Sequence, residues 1–562
     1  MRIQTRTQKL VLGVCASLTV GLGAYNSRPQ DVATPGVESR MAPRFVTTRK
    51  LTRTANPAAP WASFSNSISS PFAAGDLDTS FGGTGKVTTP FGREEDVATS
   101  VVLQPDGKIV CSGYSSSALS TVAFVARYNA DGSLDTSFGT GGKVTENFGG
   151  SFTLATSIGL QADGKIVAAG YVGNPAPATS GFDFFVLRYN SNGTLDPTFD
   201  ADGKVTTNFA TLDEADALLI QSDGKIVVTG STSNNTPDRT FAALARYNAD
   251  GSLDTSFGTG GKVIGHEGSA FSAIVQPDGF IVTGGWGCSA ATCTQNLDFT
   301  FARYNASGVL DPSFGTNGKA TVAVSAGRDE GRAIALQSDG KIVAAGVNLS
   351  SSAADPVAIV RLNVNGTLDT AFGTGGIVQN LPIVVEDAFG LSLDSSGKIV
   401  TGGRIFNTAT DADFAVLRLN TGGTLDTTFG NGGIATTPFG SSLDGIIHFA
   451  IQSDGKIVAV GFAETQVGDI DAAMARYLTS VSVSGRITSP SGAGLRNVTV
   501  VITDSLGAQQ FATTSSFGFY SFDNVRPGDT YRISVNSRLY RFAVQTLAIT
   551  DNLTNVDFVG LE

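Results

Sequence analysis

Five carboxylates stand in one register of this chain. Asp96, Asp213, Asp329, Glu386 and Asp444 lie eight residues before the residues that open a recurring tight turn: Gln104, Gln221, Gln337, Asp394 and Gln452. Thr153 and Gly268 hold the same register without charge. Gathered on one face, such a set attracts a cation or a basic partner, because like charges held together are costly unless compensated. Alternatively, each carboxylate accepts backbone N–H groups and caps its own loop. Other reactive side chains are sparse. His266 and His448 are the two histidines, far apart in sequence. No His-Glu-x-x-His, no paired Cys-x-x-Cys and no phosphate loop occurs, so zinc hydrolysis and nucleotide chemistry lack their ligands.

A second oxygen-rich stretch, Asn129-Ala-Asp131-Gly-Ser133-Leu-Asp135, has the spacing that opens a calcium loop. It lacks the bidentate Glu that closes one. Calcium is the one cofactor the residues suggest; otherwise none is expected. Paired carboxylates for glycoside cleavage exist in any acidic chain and carry little weight. A non-catalytic role is expected.

These residues are positioned by a repeat. Leu-Asp-x-small-Phe places its aspartate at Asp78, Asp135, Asp196, Asp254, Asp311, Asp369 and Asp426, at intervals of 57, 61, 58, 57, 58 and 57 residues. Turn glycines follow at Gly107, Gly164, Gly224, Gly279, Gly340, Gly397 and Gly455. An arginine ends an apolar run at Arg127, Arg188, Arg246, Arg303, Arg361, Arg418 and Arg476, eight residues before six of the aspartates. A fixed period of this length means a solenoid, propeller or array. The segments are short, rich in Val, Ile, Phe and Ala, and divided by Asp-Gly or Asn-Gly turns, which signal hairpins.

Four strands fit each unit, in the first Ala98–Gln104 (A), Lys108–Ser112 (B), Ala123–Asn129 (C) and Gly142–Phe148 (D). The expected architecture is all-β: a seven-bladed propeller, then a small β-sandwich. Lys86–Phe91 has no A, B or C strand before it, and the set ending at Tyr477 has no D strand after it. The N-terminal strand is therefore expected to close the ring, removing two open edges. The sevenfold Arg and Asp are read as ion pairs across each C–D turn. The B–C and D–A connections are longer and dissimilar, so function is expected on that face.

The phrases Leu-Asp-Thr-Ser-Phe-Gly, Gln-x-Asp-Gly-Lys-Ile-Val and Ala-Arg-Tyr-Asn-x-Asp-Gly resemble the bacterial delta-60 repeat, whose members are assigned to β-propellers. The family implies no reaction and no catalytic residues. Beyond Tyr477, Val-Ser-Gly-Arg-Ile, Gly-Phe-Tyr-Ser-Phe and Val-Arg-Pro-Gly-Asp-Thr-Tyr resemble the carboxypeptidase regulatory-like, transthyretin-like sandwich. That resemblance implies an accessory or binding role within a carbohydrate-binding-like fold.

The chain divides into a signal peptide (1–24), a disordered linker (25–74), the propeller (75–479) and the sandwich (480–562). Arg2, Arg6 and Lys9 precede an apolar run too short for a confident membrane span. Export to the periplasm, cell surface or exterior is expected, with no transmembrane segment in the mature chain. The first 60 residues hold 9 basic and 2 acidic side chains, while the whole chain is at −11, so nearly all the acidity lies beyond them. Nucleic acid is disfavoured as a partner. In an oxidising compartment Cys288 and Cys293 are expected to form a local disulfide beside Trp286, a candidate for ligand stacking. Cys111 is expected to be a buried free thiol. The expected function is binding or scaffolding of a protein or carbohydrate at the B–C/D–A face. The alternative is an extracellular enzyme acting on glycans at the channel mouth.

Overall fold

The structure is a computed structural model. It describes residues 74–561 except 151, 174–180, 234–238, 289–296, 350–355, 382–384, 407–410, 441–442, 467, 480, 506, 526–528 and 550–552. The expected signal peptide, nearly all of the linker, Cys293 and parts of several B–C connections lie outside the described residues.

Blade one pairs Glu95–Leu103 (A), Ile109–Ser116 (B), Thr121–Tyr128 (C) and Lys143–Glu146 (D) in that order, all antiparallel. The B and C strands are buried on both faces, as central strands between two neighbouring blades must be, and they read as nearly unbroken apolar runs. The A–B turn closes where Gly107 takes φ 85° and its N–H donates to the Gln104 carbonyl. Glycine enters that region without a Cβ penalty.

The next A strands are Thr153–Leu160, Leu212–Ile220, Lys262–Val275, Asp329–Leu336, Val385–Leu393 and Asp444–Ile451. Each touches the A strand of the next blade, and Asp444–Ile451 touches Glu95–Leu103, so the inner strands form a closed cycle. Inner-strand threonines stitch neighbours together. Thr99 Oγ1 donates to the Ala155 carbonyl (2.8 Å), and Thr156 Oγ1 to that of Ala215 (2.9 Å).

The ring is closed by its N-terminal strand. Lys86–Thr89 pairs with Asp469–Tyr477 in the register Lys86↔Ala475 to Thr89↔Ala472. The strand stops short of Phe91 for a local reason. Pro90 has no N–H to give, and the Phe91 N–H is taken by Asp96 Oδ2.

One connection departs from the sevenfold pattern. Lys262–Val275 is a single strand that serves as D of blade three and A of blade four. It crosses the gap at Gly268 (φ 141°), where a Cβ would stand 2.0 Å from the Trp286 carbonyl oxygen.

After the propeller, Phe519–Val525, Val481–Thr488 and Phe558–Val559 form one sheet. Gln509–Thr513, Thr499–Thr503, Asp529–Asn536 and Gln545–Ile549 form another. Val483, Ile487, Val500, Ile502, Phe522, Ile533 and Ile549 make the core of this module. The last strand of the second sheet begins at Gln545, and Phe542 ahead of it packs against the core.

Candidate functional site: the loop face of the propeller

The register of carboxylates is real, but each one is engaged locally. Asp96, Asp213, Asp329 and Asp444 stand at the first or second residue of their A strands with no exposed surface. Asp329 accepts from Val324 N (2.8 Å), Ser325 N (2.8 Å) and Ser325 Oγ (2.7 Å). Asp213 accepts from Phe209 N (2.6 Å), Ala210 N (3.1 Å) and Thr232 Oγ1 (2.6 Å). Asp96 and Asp444 accept from Phe91 N (2.5 Å) and Phe439 N (2.7 Å) through Oδ2, while neither Oδ1 makes a hydrogen bond. In each case a backbone N–H group between the D strand and the A strand donates to the carboxylate. Gly268 takes the Asp position in a connection that runs through as one strand with no loop to cap, and Thr153 takes it in blade two, where its buried hydroxyl makes no hydrogen bond. Glu386 is half-buried and lies opposite Arg404 in the strand register.

Burial is the largest influence on these groups and pushes all four carboxyls up. Asp96 and Asp444 reach about 6, desolvation outweighing the hydrogen bonds they accept. A second influence was not read from the sequence. Asp183, Asp298, Asp413 and Asp471, near the start of C strands, face the capping Asp of the following blade and repel it. Each lies five residues before its blade's repeated Arg. That spacing was available as a signal, but it shows itself only once the blades are known to pack in order.

The inner wall differs from blade to blade. Glu214 and Asp216 of blade three lie near the Tyr171 phenol of blade two. The Ser269 hydroxyl of blade four reaches Asp216 Oδ2 at 3.4 Å. Burial, then the Glu214 charge, push the Asp216 carboxyl well above the usual carboxylate range. In blade five Glu330 is held by Arg328 (2.5 Å) and Arg332 (3.4 Å), and the Arg332 guanidinium covers the Phe389 ring at 4.3 Å. Across blades seven, one and two the equivalent region is apolar: Val97, Tyr114, Leu154, Tyr171, Ile447 and Phe462. Trp286 belongs to the B strand of blade four and is 6% exposed, so it is a packed residue and no open stacking platform.

The opposite, C–D turn side is constant. Arg127, Arg188, Arg246, Arg303, Arg361 and Arg418 each donate Nε to the Asp eight residues on, at 2.7–2.8 Å. Each guanidinium also covers the following Phe ring, as Arg127 does Phe138 at 4.7 Å. Five of these six reach a carbonyl in the next blade's turn, as Arg246 does Ala306 (2.7 Å). The expected ion pair is present, and its second task, fastening one blade to the next, was not foreseen.

In the stretch that opens like a calcium loop, Asp131 Oδ1 accepts from Ser133 N (3.0 Å) and Oγ (2.6 Å), and Asp135 pairs with Arg127. Its oxygens are spent within the turn. Among the described residues no three His, Cys, Asp or Glu side chains converge as a metal site. Cys288 ends its B strand and is disulfide-bonded; its expected partner, Cys293, lies outside the described residues. Cys111 is a buried free thiol, pushed up to about 12 by desolvation. Among the described residues no helix is long and apolar enough to cross a membrane.

Seven segments, 104–138, 161–199, 221–257, 276–314, 337–372, 395–429 and 452–480, match the family described as domain of unknown function (DUF5122) beta-propeller. Residues 482–559 match the carboxypeptidase regulatory-like domain. The chain belongs to this β-propeller repeat family and carries a C-terminal carboxypeptidase regulatory-like domain. No curated protein matches it. Among solved structures, a protein of unknown function from Dyadobacter fermentans is similar at 11% identity and TM-score 0.39, covering 70% of this chain and 97% of that one. Polysaccharide lyase Uly1 is similar at 13% identity and TM-score 0.39, over 68% and 89% of the two chains. Sqt1 from Chaetomium thermophilum follows at 13% and 0.36, over 66% and 80%. Likenesses this loose say nothing about chemistry.

Proposed function

We propose that this is an exported, non-catalytic binding or scaffolding protein whose ligand sits on the B–C/D–A loop face. One contrast carries the reading. The C–D turn side repeats the same Arg–Asp–Phe arrangement blade after blade. The A strands at the loop face carry unlike residues at equivalent positions, Val97 and Thr99, Leu154 and Thr156, Glu214 and Asp216, Ser269 and Phe271, then Glu330 and Arg332, of which Glu214, Asp216, Phe271 and Arg332 are partly open. A constant frame bearing unlike side chains at one end is how a rigid scaffold carries specificity. The half-apolar, half-charged wall suits a protein segment or a glycan. Screening the purified protein against glycans, peptides and divalent cations tests this. A ligand is expected whose binding is weakened by Glu214→Gln or Phe389→Ala and unaffected by Asp131→Asn in a C–D turn. A ligand lost only with Asp131→Asn overturns the assignment of the face.

The runner-up, hydrolysis of a glycan, draws support from Glu214 and Asp216, neighbouring carboxyls of which Asp216 is pushed well above the usual carboxylate range. Turnover of a glycan that stops in Asp216→Asn with binding retained would favour it over simple binding.

A further inference from the structure

Sevenfold repetition marks the groups that hold the blades together. One seam carries charges that the repeat does not call for. Where the closing strand leads into blade one, the connection reads Arg93-Glu94; at the same two places the other six connections read Gly-Ser, Ala-Thr, Gly-His, Ala-Gly, Ile-Val and Ser-Ser. With Asp469, at the start of the C strand of blade seven, these two residues line an open cleft of about 600 Å³ together with Phe91, Gly92, Ser117 and Gly468. Arg93 is held in place from one side. Its Nη1 donates to Ser117 Oγ (3.3 Å), the Ser120 carbonyl (2.9 Å) and Ser120 Oγ (2.8 Å), all in the B–C hairpin of blade one. Its Nε and Nη2 make no hydrogen bond among the described residues, and no carboxylate there pairs with it. The Glu94 carbonyl accepts from Ile470 N (3.1 Å), which brings Glu94 to the start of the strand that carries Asp469. Neither the Glu94 nor the Asp469 carboxylate makes a hydrogen bond or ion pair with a described residue. Opposite charges thus line one cleft without pairing with each other.

We propose that this cleft is a separate ligand site for a short zwitterionic peptide, whose carboxylate meets Arg93 and whose ammonium meets Glu94 and Asp469. A guanidinium fixed on one side offers a planar fork of donors that matches a carboxylate. Two carboxylates without partners call for a cationic donor, and hydrogen bonds to ionised groups are roughly twice as strong as those between neutral ones. The charged side chains are one positive and two negative, so an anion such as a uronate or a phosphate meets net repulsion. A neutral sugar would leave all three charges served by hydroxyls alone. A ligand carrying both signs satisfies each of them. The Phe91 ring is already engaged, stacked on Phe124 at 3.9 Å and approached by Lys143 Nζ at 5.1 Å, so it gives a sugar no platform. The rim offers apolar contact instead: Leu119, 89% exposed, stands in the hairpin that holds Arg93. A cleft of this size takes a ligand larger than one amino acid. The site lies on the loop face but is built by blades seven and one. It uses none of Glu214, Asp216 or Phe389, and so goes beyond the inner-wall ligand proposed for that face.

Calorimetric titration of the whole protein with free-ended peptides of alternating Ala and Leu, about two to six residues long, tests this. The best binder is then compared with the same peptide acetylated at its N-terminus or amidated at its C-terminus. Each cap is expected to weaken binding at least about tenfold, because each removes a charge-assisted contact. In Arg93→Gln the amide is expected to lose its effect while the acetyl group keeps it. In Glu94→Gln/Asp469→Asn the reverse is expected, an exchange of sensitivities that general loosening of the loops would not produce. Glu214→Gln in blade three is expected to leave this binding unchanged, so failure of this site and failure of the inner-wall ligand are told apart. If a variant does not fold, the two caps on the wild-type protein decide. Absence of binding by every free-ended peptide overturns the proposal, as do caps without effect or tighter binding of a galacturonate or maltose oligomer.

Discussion

Arg476 and Asp78 stand 398 positions apart, and Arg476 Nε donates to Asp78 Oδ2 at 2.8 Å, the geometry every other blade makes between residues eight apart. Lys456 approaches the same carboxylate at 3.4 Å, and the guanidinium covers the Phe81 ring at 4.6 Å. Ring closure thus reuses the intrablade contact with the chain connection removed. The pair is nearly buried, so truncating one member strands the other charge. Arg476→Ala is expected to cost roughly 3 kcal/mol, read by chemical denaturation. A loss below about 1 kcal/mol would show that the pair is unimportant to closure.

Removing residues 75–92 deletes the outer strand of blade seven and bares the edge of Asp469–Tyr477. An exposed strand edge recruits other chains. The truncated protein is expected to aggregate or oligomerise in size-exclusion chromatography, and a well-behaved monomer would contradict the pairing.

How much of this was legible in the sequence depends on what repeats. Strand order, blade number and closure followed from phrases recurring at one period, because sevenfold recurrence leaves little room for another architecture. The pairing of Arg with Asp eight residues on was legible for the same reason. What one repeat does to the next was not. The register placed Asp96, Asp213, Asp329 and Asp444 together in projection, and projection cannot tell a shared opening from separate buried caps. Burial depends on the D–A loop folding back, which is written in unremarkable residues such as Pro90 and Phe91. Trp286 misled in a similar way: adjacent to a variable loop in sequence, it is packed inside its blade.

Tyrosines at the ends of C strands give a paired test. The Tyr247 and Tyr477 hydroxyls donate to Thr207 Oγ1 and Thr437 Oγ1, 2.8 and 2.9 Å away. The equivalent partner of Tyr304 is Gly265, and the Tyr304 hydroxyl is buried without a hydrogen bond. Tyr247→Phe is expected to destabilise by about 1 kcal/mol. Tyr304→Phe, which removes only an unsatisfied group, is expected to be neutral or mildly stabilising. Equal losses in the two variants would show that Tyr304 has found a partner.

Acid unfolding should follow the rim aspartates. Desolvation alone would raise Asp196, Asp254 and Asp426, yet hydroxyl and backbone donors with the Arg and Lys charges outweigh it and hold them at about 2. A folded value below the unfolded one gives stability that is complete above the unfolded pKa of about 4 and lost as pH falls toward 2. Melting temperature is therefore expected to drop steeply between pH 4 and 2. In Asp254→Asn the melting temperature is already lower at neutral pH and the acid drop is shallower. A drop of unchanged steepness would assign acid sensitivity elsewhere.

Between pH 4 and 6.5 two sets of buried groups oppose each other. His266 and His448 are pushed down to about 4, by desolvation first, so the unfolded chain binds more protons and stability rises with pH. Asp96 and Asp444, raised to about 6, do the reverse: the folded chain holds the extra protons, and stability falls as pH climbs from the unfolded value through 6. In the wild type the two slopes partly offset each other, and Asp213, Asp216 and Asp329, also raised by burial, add to the fall. Asp96→Asn/Asp444→Asn removes the falling contribution and leaves the histidines, so its stability is expected to climb with pH relative to wild type. His448→Leu in the wild-type background tilts the dependence the other way. Denaturation midpoints at half-unit pH steps for the three proteins give the slopes directly, and parallel curves would rule out proton uptake at these four side chains.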